Sequence, residues 1–279
     1  LLIASLRAFG GEMSGCPFWV FDLAPQDRAD QDFDSALAQV IPLDVPKDLL
    51  SYHFGDKVYA CARAEQLAPA GVHALVWVDP SCLVVNPPLL YGLAGEIDAA
   101  LRPVHIRNVG LPETEPLDAY WEKVYETVGV QDIQAVVESF VDGQRIRAYF
   151  NTHAFAVNPA EGLLHAWLEG FEKLAGDQEF QAGTCQDNLH QIFLHQAVLS
   201  ALLAVWLAPE RLRILPPDYN YPYNLHQSLS PDRRAAALND LVSFTYEGRS
   251  IIPADVADIE IREPLRSWLA QHAPEAAPS

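Results

Sequence analysis

Basic residues are scarce in this 279-residue chain: 18 Lys and Arg stand against 37 Asp and Glu, a formal charge of −19. A surface this acidic repels a polyanion, so neither nucleic acid nor anionic membrane is expected as a partner. Cysteine is sparse as well, and Cys16, Cys61, Cys82 and Cys185 form no C-x-x-C pair. Scattered thiols in partly apolar surroundings predict reduced, disulfide-free side chains and a cytoplasmic location. No apolar run approaches the roughly eighteen residues of a membrane span, and no basic-then-apolar leader opens the chain. A Gly-rich P-loop, a G-x-G-x-x-G fingerprint and a G-x-S-x-G elbow are also missing, which argues against standard NTPases, dinucleotide enzymes and serine hydrolases.

What is present is a core. Half of the residues are hydrophobic, enough for one large α/β domain, assigned to residues 1–273 with a frayed Ala/Pro-rich tail over 274–279. The most informative stretch runs from Ala74 to Leu90, where the strand-like Val76, Trp77 and Val78 lead into Asp79, and Pro80 stops the ladder. The apolar run predicts a strand buried on both faces. An acid at the carboxyl end of such a strand either holds a ligand or metal ion, or caps the turn before Cys82 through its side chain.

Along the chain, Leu1 to Phe9 keep helical spacing up to Gly10-Gly11, and the first strand of the fold is expected to be missing ahead of it. Pro17 to Leu23 and Gln39 to Leu43 read as strands with a polar connection over Asp27 to Asp34, and Asp56 reads as the cap of a helix running to about Ala68. Strand and helix thus alternate, the βαβ pattern of a largely parallel sheet. Leu101 to Gly110 alternates, with His105 and Arg107 opposite Val104 and Ile106, and Arg145 to Asn158 reads as one long strand with Arg145, Arg147, Tyr149 and Asn151 on one parity. Helices are predicted over Pro116 to Gly129, around Leu164 to Leu174, and over Asn188 to Trp206. On the last of these His195 and Gln196 share the buried stripe, either as a satisfied structural pair or as part of a site wall. Asp187 and His190, at i, i+3, could ligate a metal, but no second pair matches them. Leu215 to His226, with Tyr219, Tyr221 and Tyr223, reads as an irregular loop, either a surface for sugars and bases or a rigid connector.

Taken in order, VWVDPSCLVVNPPLL, YFNTHAFAVNPAEGLLHAWL, FLHQAVLSALL and ILPPDYNYP resemble the GT-A-type nucleotide-diphospho-sugar glycosyltransferases over roughly Ser5 to Tyr246. The resemblance implies a single-domain α/β fold with a mixed, mostly parallel sheet flanked by helices. It also implies transfer of a sugar from a nucleotide-diphospho-sugar donor to an acceptor it does not identify. Carried onto this sequence, Asp79 matches the first acid of the D-x-D motif, Asn151 the Y-F-N asparagine, Gln196 the glutamine of the D-Q pair and Asn220 the closing-loop asparagine. Ser81 stands where the second acid belongs, His195 where the D-Q aspartate belongs, and Thr245 near where a late metal-binding histidine would lie in the retaining members.

A divalent cation, manganese or magnesium, would therefore have Asp79 and little else, so metal dependence is expected to be weak or nil. Arg102, Arg107, Arg145, Arg147 and Lys57 are candidates to hold the phosphates instead. His105 and His195 are candidate general bases beside Asp79 in the catalytic set. Ser81, Arg102, Arg107, Arg147, Asn151, Gln196, Tyr219, Asn220 and Tyr221, with Asp79, make up the expected binding set. The rival reading is a non-catalytic relative that binds a sugar or a protein after losing the second acid.

Overall fold

The computed structural model describes residues 1–23, 38–131, 133 and 135–273. The connection expected over Asp27 to Asp34 and the tail over 274–279 lie outside the described residues. Helices are α1 (Leu2–Phe9), α2 (Lys47–Leu50), α3 (Gly55–Leu67), α4 (Ala119–Val128), α5 (Leu163–Ala175), α6 (Gln178–Ala182), α7 (Asn188–Trp206) and α8 (Leu265–His272). Strands are β1 (Trp19–Asp22), β2 (Gln39–Pro42), β3 (Leu75–Val78), β4 (Cys82–Val84), β5 (Ala99–Leu101), β6 (Val136–Glu138), β7 (Arg145–Arg147), β8 (Ala154–Val157), β9 (Leu212–Ile214), β10 (Tyr221–Pro222) and β11 (Ser243–Thr245).

The largest sheet has the order β3-β8-β5-β9, beside a β10-β11-β4 sheet and the pairs β1-β2 and β6-β7. The α/β expectation holds and the sheets are mixed. Parallel pairing is confined, among the described residues, to β1-β2, β5-β9 and β10-β11, while β3-β8, β5-β8, β4-β11 and β6-β7 are antiparallel. Helices α3 and α5 pack together, as do α5 and α7, over a core holding Trp121, Trp167, Phe155 and Phe171. At the α5–α7 contact Gly170 lets the helices approach: a Cβ there would sit 3.1 Å from Val198 Cγ1.

Several sequence expectations change. Strand β3 is not buried on both faces, since Val76 is 44% exposed and β3 is the sheet's edge. Helix α3 is not capped by Asp56; its N-cap is Phe54 in the left-handed conformation (φ 59), and the Asp56 carboxylate accepts from the Lys57 N–H inside the first turn. After Leu101 the pairing continues only as an isolated bridge between Pro103 and Phe150, with Val104 N–H on Tyr149 O and Asn151 N–H on Arg102 O, while the Arg102 and His105 side chains turn to the 217–220 loop. The long strand expected over Arg145 to Asn158 is broken into β7 and β8, because the Asn151 side chain accepts the His153 N–H in place of a ladder bond. Asp187 is the N-cap of α7, accepting from the N–H groups of Leu189 and His190, with the His190 ring on its other oxygen.

The expectation that no segment suits a membrane also needs correction at the level of composition: α7 is long and apolar enough to cross one, with mean hydropathy 1.4. In the fold its residues Leu194 to Leu203 are buried against α5 and α4. A helix surrounded by protein is apolar all round for that reason.

Candidate functional site

A cleft of about 760 Å³ runs from the outer edge of β3 and the face of β1 to the N-terminus of α3. Most of its wall is apolar, and its polar end gathers Lys57, Asp79, Ser81, His153 and Glu247. Each of these arrives from a different part of the fold. Lys57 stands in the first turn of α3, Asp79 directly follows β3, Ser81 directly precedes β4, His153 directly precedes β8, and Glu247 lies two residues beyond β11.

Asp79 is 7% exposed, and both its carboxylate oxygens are engaged. Oδ2 accepts from Lys57 Nζ at 2.9 Å and Oδ1 from the Trp77 indole at 2.6 Å. The turn to Cys82 is closed by the Asp79 backbone carbonyl at 2.9 Å, so the reading of its side chain as a turn cap is set aside. The Lys57 ammonium also donates to Thr152 O at 3.3 Å and lies over the rings of Phe54 and Trp77. Burying such a pair is tolerated because each partner offsets the other's desolvation and further hydrogen bonds surround them.

His153 Nε2 lies 2.6 Å from Glu247 Oε1 and 3.9 Å from Asp79 Oδ2. Asn224 donates to the other Glu247 oxygen at 2.5 Å. The hydrogen bond from His153, ahead of the opposing effect of burial, holds the Glu247 carboxyl below the usual carboxylate range. Glu247 has φ 31 and Phe54 φ 59, positions where a side chain is strained, and both line the cleft. Backbone strain of this kind concentrates at functional sites.

The expected binding set divides around this end of the cleft. Asp79 and Ser81 line it, the Ser81 hydroxyl lying 3.4 Å from Thr245 Oγ1. Asn151 and Asn220 stand one layer behind: Asn151 Oδ1 accepts from Asn220 Nδ2 at 3.0 Å and from the His153 N–H at 2.7 Å, so the pair positions His153. Asn220 holds φ 45 and donates its own N–H to Ser243 Oγ.

Other members belong to the core instead. Arg102 is buried and its guanidinium donates to the carbonyls of Pro217, Tyr219 and Asn220, with the ring of Phe140 beneath it. It bolts the 215–221 loop down and is not free to grip phosphate, and burial lowers its pKa to about 10. Tyr219 accepts the Leu90 N–H, and the Tyr221 hydroxyl meets His226 Nδ1 and the Ala235 N–H, so the loop is the rigid connector rather than a sugar platform.

Arg107 meets Asp142 through its backbone N–H, Arg145 pairs with Glu113, and Arg147 donates to the carbonyls of Ile133 and Glu115. None of the four arginines lines the cleft. Of the cations named from sequence, Lys57 alone does.

Neither candidate base lines the cleft. His195 is 2% exposed, with Nδ1 at Ile192 O and Nε2 at Thr152 Oγ1, and Gln196 is spent on the Thr152 N–H and the Tyr149 hydroxyl. They form the satisfied structural pair. Burial, then the nearby Lys57 charge, pushes the His195 pKa well down. His105 donates Nε2–H to Asn220 O, and burial followed by the Arg102 charge pushes its pKa down as well. Both rings are neutral fixtures.

Sequence reasoning missed His153 and Glu247. His153 stood inside the quoted FNTH segment, two residues from Asn151, and Glu247 stands just before Gly248 and two residues after Thr245. Their partnership joins positions 94 residues apart and leaves no local pattern.

The donor set does not fit a divalent cation. Such an ion needs about six oxygen ligands, yet both Asp79 oxygens are occupied, and no group of three His, Cys, Asp or Glu able to hold a metal is found among the described residues.

Comparison with curated proteins found no match. Among solved structures, the galactosyltransferase LgtC in complex with donor and acceptor sugar analogs shares 13% identity at a TM-score of 0.48, covering 96% of this chain and 87% of that one. The bifunctional glycosyltransferase WbbM shares 15% at 0.41, covering 76% of this chain, which spans only 36% of WbbM. Mouse xyloside xylosyltransferase 1 shares 12% at 0.40, covering 82% and 83%. These likenesses are too distant to carry residue roles across. The family model described as the Rhodobacterales glycosyltransferase domain matches residues 1–202, well over half of the 279, and the chain therefore belongs to that glycosyltransferase family.

Proposed function

We propose that the polar end of the cleft binds a nucleotide-diphospho-sugar donor and that the enzyme transfers its sugar to an acceptor hydroxyl with weak or no dependence on a divalent ion. The observation that carries this reading is the Lys57 ammonium seated on Asp79 Oδ2 at 2.9 Å. It supplies positive charge where Asp79 would otherwise need a metal ion. In the transfer, the acceptor oxygen bonds to the anomeric carbon, the bond to the diphosphate oxygen breaks with its electron pair leaving on the phosphate, and the acceptor hydroxyl proton passes to the departing diphosphate. Lys57, 6% exposed in the cleft wall, faces that developing charge, and a fixed cation counts for most where it is desolvated. Asp79, Trp77 and the Phe54 ring hold Lys57 in place, and the His153–Glu247 pair offers hydrogen-bonding groups to sugar hydroxyls.

The four cysteines are all unpaired, in keeping with a cytoplasmic enzyme. The saturation of Asp79 also favours a second reading, a non-catalytic relative that binds a sugar or protein.

Thermal-shift titration of the purified chain with UDP, GDP and CMP and their sugars separates the two, because a ligand that binds only the native state raises its melting temperature. The transferase reading expects one nucleotide sugar to raise the melting temperature of the wild type but not of the folded double variant Asp79→Leu, Lys57→Met, and to be turned over. Binding unaffected by the double substitution would overturn the site, and binding without turnover of any donor would establish the non-catalytic reading.

A further inference from the structure

Two hydrogen-bond donors at the polar end of the cleft are aimed at one carboxylate. His153 Nε2 lies 2.6 Å from Glu247 Oε1 and 3.9 Å from Asp79 Oδ2, while His153 Nδ1 is buried without a partner. Two acids facing Nε2 put the ring proton there. The Asn224 amide donates to the second Glu247 oxygen, and its own Oδ1 is likewise buried and unpartnered. Ring and amide thus form a two-pronged cradle of the kind that holds a carboxylate or a phosphate oxygen pair. The His153 hydrogen bond does most to keep the Glu247 carboxyl ionised, and the Lys57 charge and the Asn224 amide act in the same direction.

The turn that delivers this carboxylate is lightly held. Glu247 and Gly248 are consecutive left-handed residues, at φ 31 and φ 78, and a Cβ on Gly248 would meet nothing within 4 Å. The backbone is tied by the Tyr246 N–H to Ser81 O and by the Arg249 N–H to Tyr246 O, which leaves Glu247 between the two ties. Its side chain is 38% exposed, so it can swing outward without disturbing β11.

Charge gives it a reason to swing. Among the described residues lining the cleft, the acids are Asp56, Asp79 and Glu247, against one lysine, Lys57. An entering diphosphate meets an excess of like charge unless an acid withdraws. Asp79 is locked by Lys57 and the Trp77 indole, and Asp56 is bonded inside the first turn of α3. Glu247 is the acid with somewhere to go.

We propose that Glu247 is a built-in stand-in for phosphate: in this conformation its carboxylate fills the cradle of His153 and Asn224 beside Lys57, and a diphosphate binds by displacing it. This rests on the donor reading of the site and deepens it, because it divides the His153–Glu247 pair: the imidazole turns to the phosphate and the freed carboxylate to the sugar hydroxyls. Glu247 is then self-inhibitory for the phosphate, and shortening or neutralising it strengthens binding where loss of a phosphate ligand weakens it.

The test is calorimetric titration of inorganic diphosphate, UDP and GDP, all in EDTA, into the 279-residue chain and its variants Glu247→Gln and Glu247→Asp. Aspartate keeps the charge, shortens the arm and tolerates the left-handed backbone, so it separates occupancy of the cradle from simple repulsion. Displacement predicts that both variants bind at least one of these diphosphates about tenfold or more tightly than the wild type, and that adding His153→Ala to Glu247→Asp cancels the gain. Melting temperatures of all variants check that the fold is kept. A gain in Glu247→Gln alone would mean repulsion without occupancy and would overturn the proposal. Unchanged or weaker binding in both variants, with UDP or GDP bound by the wild type, would overturn it and leave the donor reading standing. No binding of any of the three to the wild type or the variants would overturn both.

Discussion

Asp79 and Lys57 act as one unit, and single substitutions at either do not have single meanings. Removing the carboxylate by Asp79→Ala leaves a buried ammonium with only Thr152 O and two ring faces, and breaking such a pair costs about 3–5 kcal/mol. Chemical denaturation should show that loss. The double variant Asp79→Leu, Lys57→Met should recover most of it while binding no nucleotide, whereas a stable Asp79→Ala would mean the pair is not buried as described. The importance of Asp79 was legible because a lone acid ended an apolar strand. Its partner was less so: Lys57 was one of five cations named from sequence, and the four arginines divided between bolting the 217–220 loop and pairing at or near the β6-β7 hairpin. Which cation reaches a cleft is decided by packing, not by residue type.

Among the elements, α3 positions the site. Its N-terminus is fixed by Phe54 in the left-handed region and by Gly55, where a Cβ would lie 2.1 Å from Leu49 O. That contact is with backbone, which cannot swing aside. Gly55→Ala should therefore cost about 1–3 kcal/mol, and by shifting α3 it should weaken nucleotide affinity, read by thermal melts and by titration. Unchanged melting would show that α3 is not seated as tightly as this.

Helices were the most legible part of the fold: α7 was read from Asn188 to Trp206 and is found there. Strands were less so. Arg145 to Asn158 alternates like one strand but breaks where the Asn151 side chain takes a ladder donor, and no alternation pattern encodes that competition. The buried alternatives left open for His195, Gln196 and the tyrosine loop were settled by partners far away in sequence, such as Thr152 for His195.

For the molecule as a whole, stability should depend on pH through its buried imidazoles. His105 and His195 have pKa values pushed below the ordinary histidine value by burial. The unfolded chain thus binds protons that the native state refuses, so stability is full above about pH 6.5 and falls as the pH drops through that value, at up to about 1.4 kcal/mol per pH unit for each group. Melting temperatures measured from pH 7.5 to 5.5 should decline in that sense, and a flat profile would contradict the burial of these rings.

The overall charge of −19 bears on the proposed donor as well, because a diphosphate would approach against the general field and need a local cation to hold it. Lys57 is the cation that the cleft offers it. The most direct test is calorimetric titration of a nucleotide-sugar series into the wild-type chain, once in EDTA and once in manganese. If Lys57 holds the diphosphate, a donor binds with the same affinity, within about threefold, in both. Binding that appears only with manganese would contradict that role.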